Sequence, residues 1–354
     1  MNSSKRIVMM GTGALGGYVG GYLAQHGFDV TLIDMWPENI ETIRARGLEL
    51  DGVTPEEKFT VRNAKTLHFS EVSSLKGQKP VDIAFISVKS YDTERVARAI
   101  QPYLAPDGYT VSLQNCMNEE TIASVVGPGR TLGVIASIIS VELYEAGRIR
   151  RMAAKGGDKH TVFRIGEVDG SLSPRVAELA SLFSLIDSTK ATTNLFGERW
   201  TKLCQNGMRN GIAAATGVTS GECDRNDVLR RIAIQLGGEA VRVGQALGYR
   251  LEKLGELDPE RLALASEGNA KALAEIEAIM VKRTASNPRA GIQRPSMAQD
   301  MAKGRRTEIE FMNGLIVEKG RQVGVPTPSH AKLVDIVLRV ERGELKPSPA
   351  NFNS

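Results

Sequence analysis

The stretch Ile7-Val8-Met9-Met10-Gly11-Thr12-Gly13-Ala14-Leu15-Gly16 decides the fold of the first half of the chain. Its apolar start predicts a short buried strand over 7–10, and the pattern at 18–26 predicts a helix that Gly27 closes. Between them, Gly11 permits a tight turn, Gly13 lets the backbone approach a pyrophosphate, and Gly16 lets helix and strand pack closely. The free N–H groups at the start of the helix favour a bound phosphate.

A second predicted strand, 29–33, ends in Asp34, at about the distance from the glycines that is typical of nucleotide-binding units. The Asp34 carboxylate can accept hydrogen bonds from a ribose 2′-hydroxyl and would repel a 2′-phosphate. The unit therefore predicts a nicotinamide or flavin dinucleotide site, and the alternative is a glycine-rich turn that binds no nucleotide. The predicted cofactor contacts here are Gly11, Thr12, Gly13, Ala14, Leu15, Gly16 and Asp34.

Length and composition exclude several classes of protein. At 354 residues the chain is long enough for two domains, and a net charge of +4 is too small to indicate binding of nucleic acid or of a membrane. Three cysteines without CxxC spacing and four scattered histidines give no metal signature. Because an odd number of cysteines argues against a disulfide framework, we expect a reducing cytoplasm. No apolar run approaches the length of about 18 residues that indicates a membrane span.

The first half of the chain alternates between strand and helix patterns. Apolar runs predict strands at 82–88, 109–113 and 131–141, with two more within 147–165, and helices are predicted at 93–104 and 173–186. Parallel strands joined by crossover helices follow from this alternation. We therefore predict an α/β fold with an N-terminal Rossmann-type doubly wound sheet, in a dinucleotide-binding domain over 1–193.

Helical patterns dominate the second half. We expect an all-helical domain over 194–346 for substrate binding or dimerisation, a loop at 284–295, and a frayed tail over 347–354. A homodimer is possible, although no apolar stripe identifies its interface. The predicted helices are 198–215, 227–247, 259–283, 296–323 and 330–342.

Polar side chains follow two of the predicted strands. Strand 82–88 runs into Lys89, and strand 109–113 runs into Gln114 and Asn115. Ligands of open parallel sheets collect at the carboxyl ends of the strands, so Lys89 and Asn115 are candidate ligand contacts. Each also has a structural reading, Lys89 as a solvated loop lysine and Asn115 as a turn residue.

Lys202, Asn206 and Asn210 are spaced i, i+4 and i+8 on the predicted helix that follows Gly197, and so lie near one face. Asparagine is an indifferent helix former, and an exposed face would more naturally carry Glu and Lys. One lysine and two amides without a carboxylate suit an anionic, oxygen-rich ligand. A polar seam between helices is the alternative.

A third segment carries Ser296 and Glu308. Glu308 shares a predicted helix face with Met312 and Leu315, which indicates a half-buried carboxylate, whereas Glu310 is expected to face solvent. Ser296 follows Pro295 and either caps the next helix or contacts a ligand.

Together these segments resemble the ketopantoate reductase (2-dehydropantoate 2-reductase) family over nearly the whole chain. The glycine motif is shared by many oxidoreductases, whereas the Lys-Asn-Asn pattern followed by the Ser-Met and Thr-Glu-Ile segments is specific. The resemblance rests on residues 11–17, Ser87-Val88-Lys89, Leu113-Gln114-Asn115, Trp200-Thr201-Lys202 with Asn206 and Asn210, Ser296-Met297 with Gln299-Asp300, and Arg306-Thr307-Glu308-Ile309 with Met312-Asn313-Gly314.

The resemblance implies an oxidoreductase that transfers a hydride between a nicotinamide cofactor and a 2-oxo or 2-hydroxy acid, with ketopantoate as the default substrate. It implies that Lys202 is the general acid and that Glu308 works with it. It also implies that Asn206, Asn210 and Ser296 bind substrate, and that Lys89 and Asn115 lie where cofactor and substrate meet. The chemistry agrees, because a ketone that accepts hydride develops alkoxide charge, which an ammonium stabilises and protonates.

Two departures from the family pattern bear on cofactor and substrate. Family members usually prefer NADP and carry a basic residue near the end of the second strand, but here Asp34 is followed by no Lys or Arg until Arg44, which favours NAD. Cys116 stands where the family usually has Gly after the Gln-Asn pair. A relative acting with NAD on another branched or aromatic 2-hydroxy acid is therefore the first alternative, and a non-catalytic dinucleotide sensor is the second.

Overall fold

The structure, a computed structural model, describes residues 5–286 and 294–352. Its contacts divide the chain into two compact units, Met1–Leu195 and Phe196–Ser354. The part of the predicted loop at 287–293 lies outside the described residues, and so do residues 353–354 of the predicted tail.

The first unit is built on a sheet in which, among the described residues, eight strands follow the order β12-β11-β8-β7-β6-β1-β2-β5. The six strands from β8 to β5 pair in parallel, as the alternating pattern predicts. The sheet is nevertheless mixed, because β11 runs antiparallel to β8. The strands of this sheet are β1 Arg6–Met10, β2 Asp29–Asp34, β5 Lys65–His68, β6 Val81–Ile86, β7 Leu104–Ser112, β8 Thr131–Ala136, β11 Phe163–Glu167 and β12 Thr189–Ala191.

A smaller sheet of order β4-β3-β10-β9 was not predicted, because its strands are short and only partly apolar, although β10 lies within the stretch 147–165 where two strands were expected. The predicted strand 131–141 is too long. The observed strand ends at Ala136, and a strand of the smaller sheet begins at Val141. Ile138 and Ser140, with φ of 56° and 46°, turn the backbone out of the first sheet. The strands of the small sheet are β3 Leu48–Asp51, β4 Phe59–Val61, β9 Val141–Glu145 and β10 Arg148–Arg151.

Helices pack on both faces of the large sheet. Helix α1 begins at Ala14, four residues before the predicted start, and α5 begins after Ser173, whose side chain accepts a hydrogen bond from the Val176 N–H. The helices at 37–46 and 119–126 were not predicted. The helices of this unit are α1 Ala14–Gln25, α2 Pro37–Arg46, α3 Thr93–Ile100, α4 Glu119–Val126 and α5 Pro174–Ser184.

The central strands are apolar at successive positions because both faces of the sheet are covered. Ile7 and Met9 of β1 point into one apolar cluster, and Val8 and Met10 point into the other. This burial holds the carboxyl ends of β1, β6 and β7 side by side, where the glycine turn and the loops with Lys89 and Asn115 begin.

The second unit is helical, as predicted, but three predicted helices are broken. The pattern at 198–215 gives two helices that divide at Met208 and Arg209, 259–283 divides after Ser266, and 296–323 is interrupted after Ala302. The helices are α6 Leu195–Gly207, α7 Asn210–Thr216, α8 Ser220–Arg225, α9 Asp227–Ala246, α10 Pro259–Ser266, α11 Ala270–Ser286, α12 Ser296–Ala302, α13 Leu315–Val323 and α14 Pro328–Glu341, with a π-helical turn at Glu310–Gly314 before α13.

The predicted frayed tail is held in place over its described part. The Ser348 N–H and the Asn351 side-chain amide both donate to the carbonyl oxygen of Ala215, at 3.1 Å each. These bonds satisfy a carbonyl near the end of α7, which is why the tail is fixed. Within the described residues, no helix is both long and apolar enough to span a membrane.

Candidate active site

The glycine turn between β1 and α1 has the geometry that its sequence predicts. Gly11 has φ of 104°, and its N–H donates to the carbonyl of Ile33 at 2.8 Å. A Cβ at Gly11 would lie 2.8 Å from the Ser87 carbonyl carbon, and one at Gly16 would overlap the carbonyl oxygen of Gly11. Both positions therefore require glycine, Gly11 for the turn and Gly16 for close packing.

The start of α1 is open toward a ligand. Among the described residues, none except the chain neighbours of Gly13 lies within 4 Å of the place where a Cβ on Gly13 would stand. No side chain caps the helix, and its first turn carries no acid. Gly13, Ala14 and Leu15 are partly exposed, whereas Thr12 is buried. A pyrophosphate fits this arrangement, since N–H groups and the positive end of the helix dipole face an unfilled space.

Asp34 is held by the same turn. One carboxylate oxygen accepts from the Thr12 N–H at 2.8 Å, and the other accepts from the Trp36 N–H at 2.9 Å. Burial raises the pKa of Asp34, and these two N–H groups act against that shift by stabilising the carboxylate. The Asn39 side-chain amide makes a longer contact of 3.5 Å with the oxygen that Thr12 binds, and the acid is thus fixed at the end of β2.

The first basic residue after Asp34 is engaged elsewhere. The Arg44 guanidinium donates to Glu71 at 2.6 Å and to Glu41 at 2.9 Å. The Glu71 bond, together with the two carboxylate charges, raises the pKa of Arg44 despite some desolvation. Arg44 is therefore held by two acids.

Lys89 and Asn115 lie in two loops that are tied together. The Gln114 side-chain amide donates to the Val88 carbonyl and to the Thr93 hydroxyl, each at 2.8 Å. The Asn118 amide donates to the Asn115 carbonyl at 2.8 Å. Gln114 and Asn118 position these loops, a role that sequence reasoning missed because glutamine and asparagine after a strand are ordinary in loops.

Cys116 follows Asn115 with φ of 62° and is buried. Few residues other than glycine adopt this left-handed backbone, and glycine is what the resemblance predicts at this position. The loop therefore keeps a glycine-type backbone although the residue is cysteine.

In the second unit, α6 presents Lys202 and Asn206 on a partly exposed face, while the opposite face is anchored. Trp200 is fully buried, and its indole N–H donates to the Ala240 carbonyl at 2.9 Å. The Thr201 hydroxyl donates to the Gly197 carbonyl at 2.8 Å and accepts from the Glu252 N–H. These contacts fix the rotation of α6 and so the direction of Lys202 and Asn206.

Asn210 does not continue this helix face, which corrects the predicted spacing. Helix α6 ends at Gly207, and Asn210 opens α7, where it is buried. The carbonyl that the break frees at Gly207 accepts from the Asn313 amide at 3.0 Å. Among the residues that the structure describes, the side chains of Asn206, Asn210 and Ser296 make no hydrogen bond, so their polar groups are available to a ligand.

Asn313 in turn contacts a buried histidine. Its amide donates to His330 Nδ1 at 3.0 Å, and His330 Nε2 donates to the Leu236 carbonyl at 2.8 Å. Burial lowers the pKa of His330 to about 4, so the ring is neutral at pH 7. This network braces the break between α6 and α7.

Glu308 is buried rather than half-buried, with 5% of its surface exposed. It directly precedes Ile309 and the π-helical turn, and π-helical turns are frequent at functional sites. Glu310 faces solvent as predicted and pairs with Arg306 at 2.9 Å. Ser296 does not cap α12, because Pro295 occupies the cap position and no side chain caps the helix.

Comparison with known proteins identifies the class. The fold, an α/β unit with an open dinucleotide-type turn followed by a helical unit, is that of nicotinamide-dependent oxidoreductases that act on CH–OH groups. Residues 7–163 match the family model of ketopantoate reductase PanE/ApbA, and residues 194–341 match the model of its C-terminal domain. The chain belongs to the ketopantoate reductase family, whose members are NAD(P)-dependent oxidoreductases.

Individual relatives cover almost the whole chain. A 2-dehydropantoate 2-reductase of Archaeoglobus fulgidus is 29% identical over 344 residues, which are 96% of this chain and 99% of the relative. The crystal structure of a PanE/ApbA family ketopantoate reductase from Ralstonia eutropha is 26% identical with a TM-score of 0.76 and covers 96% of this chain and 99% of its own. A D-mandelate dehydrogenase with NADH and anilino(oxo)acetate shares the fold, with a TM-score of 0.77 at 22% identity, covering 96% and 98%.

Proposed function

We propose that the protein reduces the keto group of a 2-oxo acid with NADH, that ketopantoate is its substrate, and that Lys202 is the general acid. The observation that carries this proposal is the face of α6, where Lys202 and Asn206 are partly exposed and Asn206 makes no hydrogen bond within the described residues. The relatives named 2-dehydropantoate 2-reductase support the choice of ketopantoate.

The first unit would hold the dinucleotide through its backbone. The N–H groups at the start of α1 would bind the pyrophosphate, and Asp34 would accept hydrogen bonds from the adenosine ribose. Lys89 and Asn115 lie at the ends of neighbouring strands and would contact the part of the cofactor nearest the substrate, Asn115 also contacting substrate. When bound, the cofactor supplies the hydride.

The second unit would supply the proton and the substrate contacts. As the keto carbon gains the hydride, its oxygen takes a proton from the Lys202 ammonium, which yields the hydroxyl without a free alkoxide. Glu308 would hold Lys202 in its charged form, and the lysine regains its proton from solvent after each turnover. Asn206, Asn210 and Ser296 would donate hydrogen bonds to the substrate carboxylate and hydroxyl oxygens, which fixes the keto group in position.

We further propose that NADH is preferred over NADPH. Asp34 places a negative charge where a 2′-phosphate would stand, and Arg44 is neutralised by Glu41 and Glu71. In the same proposal the protein acts in the cytoplasm and forms a homodimer through its helical unit.

The first experiment is to measure initial rates of ketopantoate reduction with NADH and with NADPH, for the wild type and for Asp34→Asn. We expect turnover with NADH to exceed turnover with NADPH, and the substitution to reduce the difference by raising the rate with NADPH. Faster turnover with NADPH in the wild type would contradict the proposed cofactor. Absence of turnover with both would contradict ketopantoate as substrate.

A second candidate substrate is another branched or aromatic 2-hydroxy acid, oxidised with NAD. The observation that favours it is Cys116, which adds a side chain beside Asn115 at a position where the family usually has glycine. A panel of 2-oxo acids that includes ketopantoate and benzoylformate, with the corresponding hydroxy acids and NAD, would rank the two candidates by kcat/KM. A dinucleotide sensor, in contrast, would bind cofactor and turn over no member of the panel.

A further inference from the structure

Three side chains meet beside Asp34 that neither the glycine motif nor the proposed catalytic set includes. Met35 directly follows β2, and Phe69 directly follows β5; these strands pair in parallel, with Asp34 opposite His68. Arg95, in the first turn of α3, places its guanidinium carbon 4.7 Å from the centre of the Phe69 ring and Nη1 3.9 Å from the Met35 sulfur. The guanidinium therefore lies against Phe69 at the same sheet edge as the acid.

Arg95 differs from its neighbour one turn later on the same helix. Arg98 pairs with Glu94 at 2.7 Å, as exposed helix arginines commonly do. Arg95 is exposed as well, but within residues 5–286 and 294–352 it forms no ion pair. Its charge and its hydrogen-bond donors are therefore not compensated by an acid.

This geometry suits a flat, electron-rich group bonded to the ribose that Asp34 would hold. A guanidinium plane stacks on aromatic rings, and aromatic support on one side pre-orients it for a ring on the other. Adenine is the base attached to that ribose, so it must lie within a few ångströms of Asp34, beside Met35 and Arg95.

We propose that Arg95, supported by Phe69 and Met35, is a cofactor-binding residue that stacks on the adenine base. The proposal rests on the dinucleotide site of the proposed function and adds a residue that sets its affinity. Because the guanidinium would then lie near the ribose, its charge would also offset part of the repulsion between Asp34 and a 2′-phosphate. Arg95 should therefore contribute more to NADPH affinity than to NADH affinity.

The test is to titrate NADH, NADPH and ADP into the full-length protein without substrate. Binding is followed by protein fluorescence or by the heat released in a calorimeter. Arg95→Ala should weaken the binding of NADH and of ADP to a similar extent, by roughly 3- to 30-fold, which is the range expected for a cation–π contact. NADPH should weaken further than NADH. Arg98→Ala is the matched control, on the same helix and also exposed, and should bind all three ligands as the wild type does.

Two further variants separate stacking from charge. Arg95→Lys keeps the charge but loses the planar group, so it should weaken NADH nearly as much as Arg95→Ala while retaining more NADPH affinity. Phe69→Leu keeps an apolar side chain but removes the ring, and should give a smaller loss for all three ligands. Thermal unfolding of each variant shows whether a loss of binding reflects a loss of folded protein.

The outcomes distinguish this inference from the function on which it rests. If the wild type binds neither NADH nor NADPH, both the proposed dinucleotide site and the proposed role of Arg95 are wrong. If the wild type binds NADH and Arg95→Ala binds NADH and ADP within twofold of it, the dinucleotide site stands and the role of Arg95 is overturned. A loss with NADH but not with ADP would also overturn it, since the effect would then not arise at the adenine.

Discussion

The two units of the chain present their candidate residues in different ways. In the α/β unit the groups proposed to bind the cofactor are largely backbone N–H groups, fixed by a turn in which Gly11 and Gly16 leave no room for a Cβ. In the helical unit they are side chains, and their positions depend on where helices break, as between Gly207 and Asn210. A backbone site is encoded locally in sequence, whereas a side-chain site depends on the packing of distant elements.

The largest expected effect distinguishes the proposed role of the helical unit in catalysis from that of the α/β unit in cofactor binding. Lys202→Ala should lower kcat/KM for the 2-oxo acid by roughly 10²- to 10⁴-fold, the usual contribution of a general acid, while the affinity for NADH stays the same. Initial rates and a cofactor titration on the same preparation measure both. Lys271→Ala removes an exposed lysine from α11 and serves as the control. A loss under tenfold would contradict the role given to Lys202.

The success of the sequence predictions also differs between the α/β unit and the helical unit. The strands, the turn and the position of Asp34 were predictable because a buried parallel strand leaves a continuous apolar run and a tight turn requires glycine at fixed offsets. The antiparallel pairing of β11 with β8 was not predictable, because the sequence of one strand does not indicate which strand it pairs with or in which direction. The small sheet was also missed, because its strands of three to five residues carry too few apolar positions.

In the helical unit the helices were predicted except for the short α8, and the breaks within them were not. The break at 208–209 was missed because Met208 and Arg209 are both good helix formers. What makes the break stable is the Asn313 amide on the Gly207 carbonyl, a contact between residues 106 positions apart. No local signal reports such a contact. The buried state of Glu308 depends on tertiary packing in the same way.

The second prediction concerns the stability of the helical framework with pH. Burial lowers the pKa of His330 to about 4 from an ordinary value of 6.5, so the unfolded chain binds the proton more readily than the folded one. This contribution is fully present above pH 6.5 and is lost as the pH falls toward 4, by about 3 kcal/mol in total. Denaturant unfolding between pH 7 and pH 4 measures it.

His330→Gln is the informative variant for this effect. It should be less stable than the wild type at pH 7, because it breaks the bonds to Asn313 and Leu236, but its stability should fall less between pH 7 and pH 4. The exposed His26 of the other unit provides the control as His26→Gln. An equal fall in the wild type and in His330→Gln would show that other groups cause the acid sensitivity.

The third prediction tests the backbone character of the nucleotide site. Gly13→Ala should not lower the unfolding temperature, since no described residue except the chain neighbours lies within 4 Å of the added Cβ and φ at this position is −73°. The methyl group would occupy space that a pyrophosphate needs, so NADH affinity should fall about tenfold, the equivalent of one charge-assisted hydrogen bond. Gly16→Ala, whose Cβ would overlap the Gly11 carbonyl, should lose both stability and affinity. Unchanged NADH affinity in Gly13→Ala would place the phosphates elsewhere.

The smallest expected effect lies at Cys116. Its left-handed backbone is strained for cysteine by about 1 kcal/mol, which glycine would relieve, while the substitution also removes a buried thiol and adds freedom to the unfolded chain. These contributions nearly cancel, so Cys116→Gly should change the free energy of unfolding by less than about 1 kcal/mol. Cys204→Gly is the control: Cys204 is also buried but lies inside α6, where glycine should cost about 2 kcal/mol or more. Equal losses at the two positions would mean that Cys116 is not strained, and that the loop after Asn115 does not retain the glycine-type backbone.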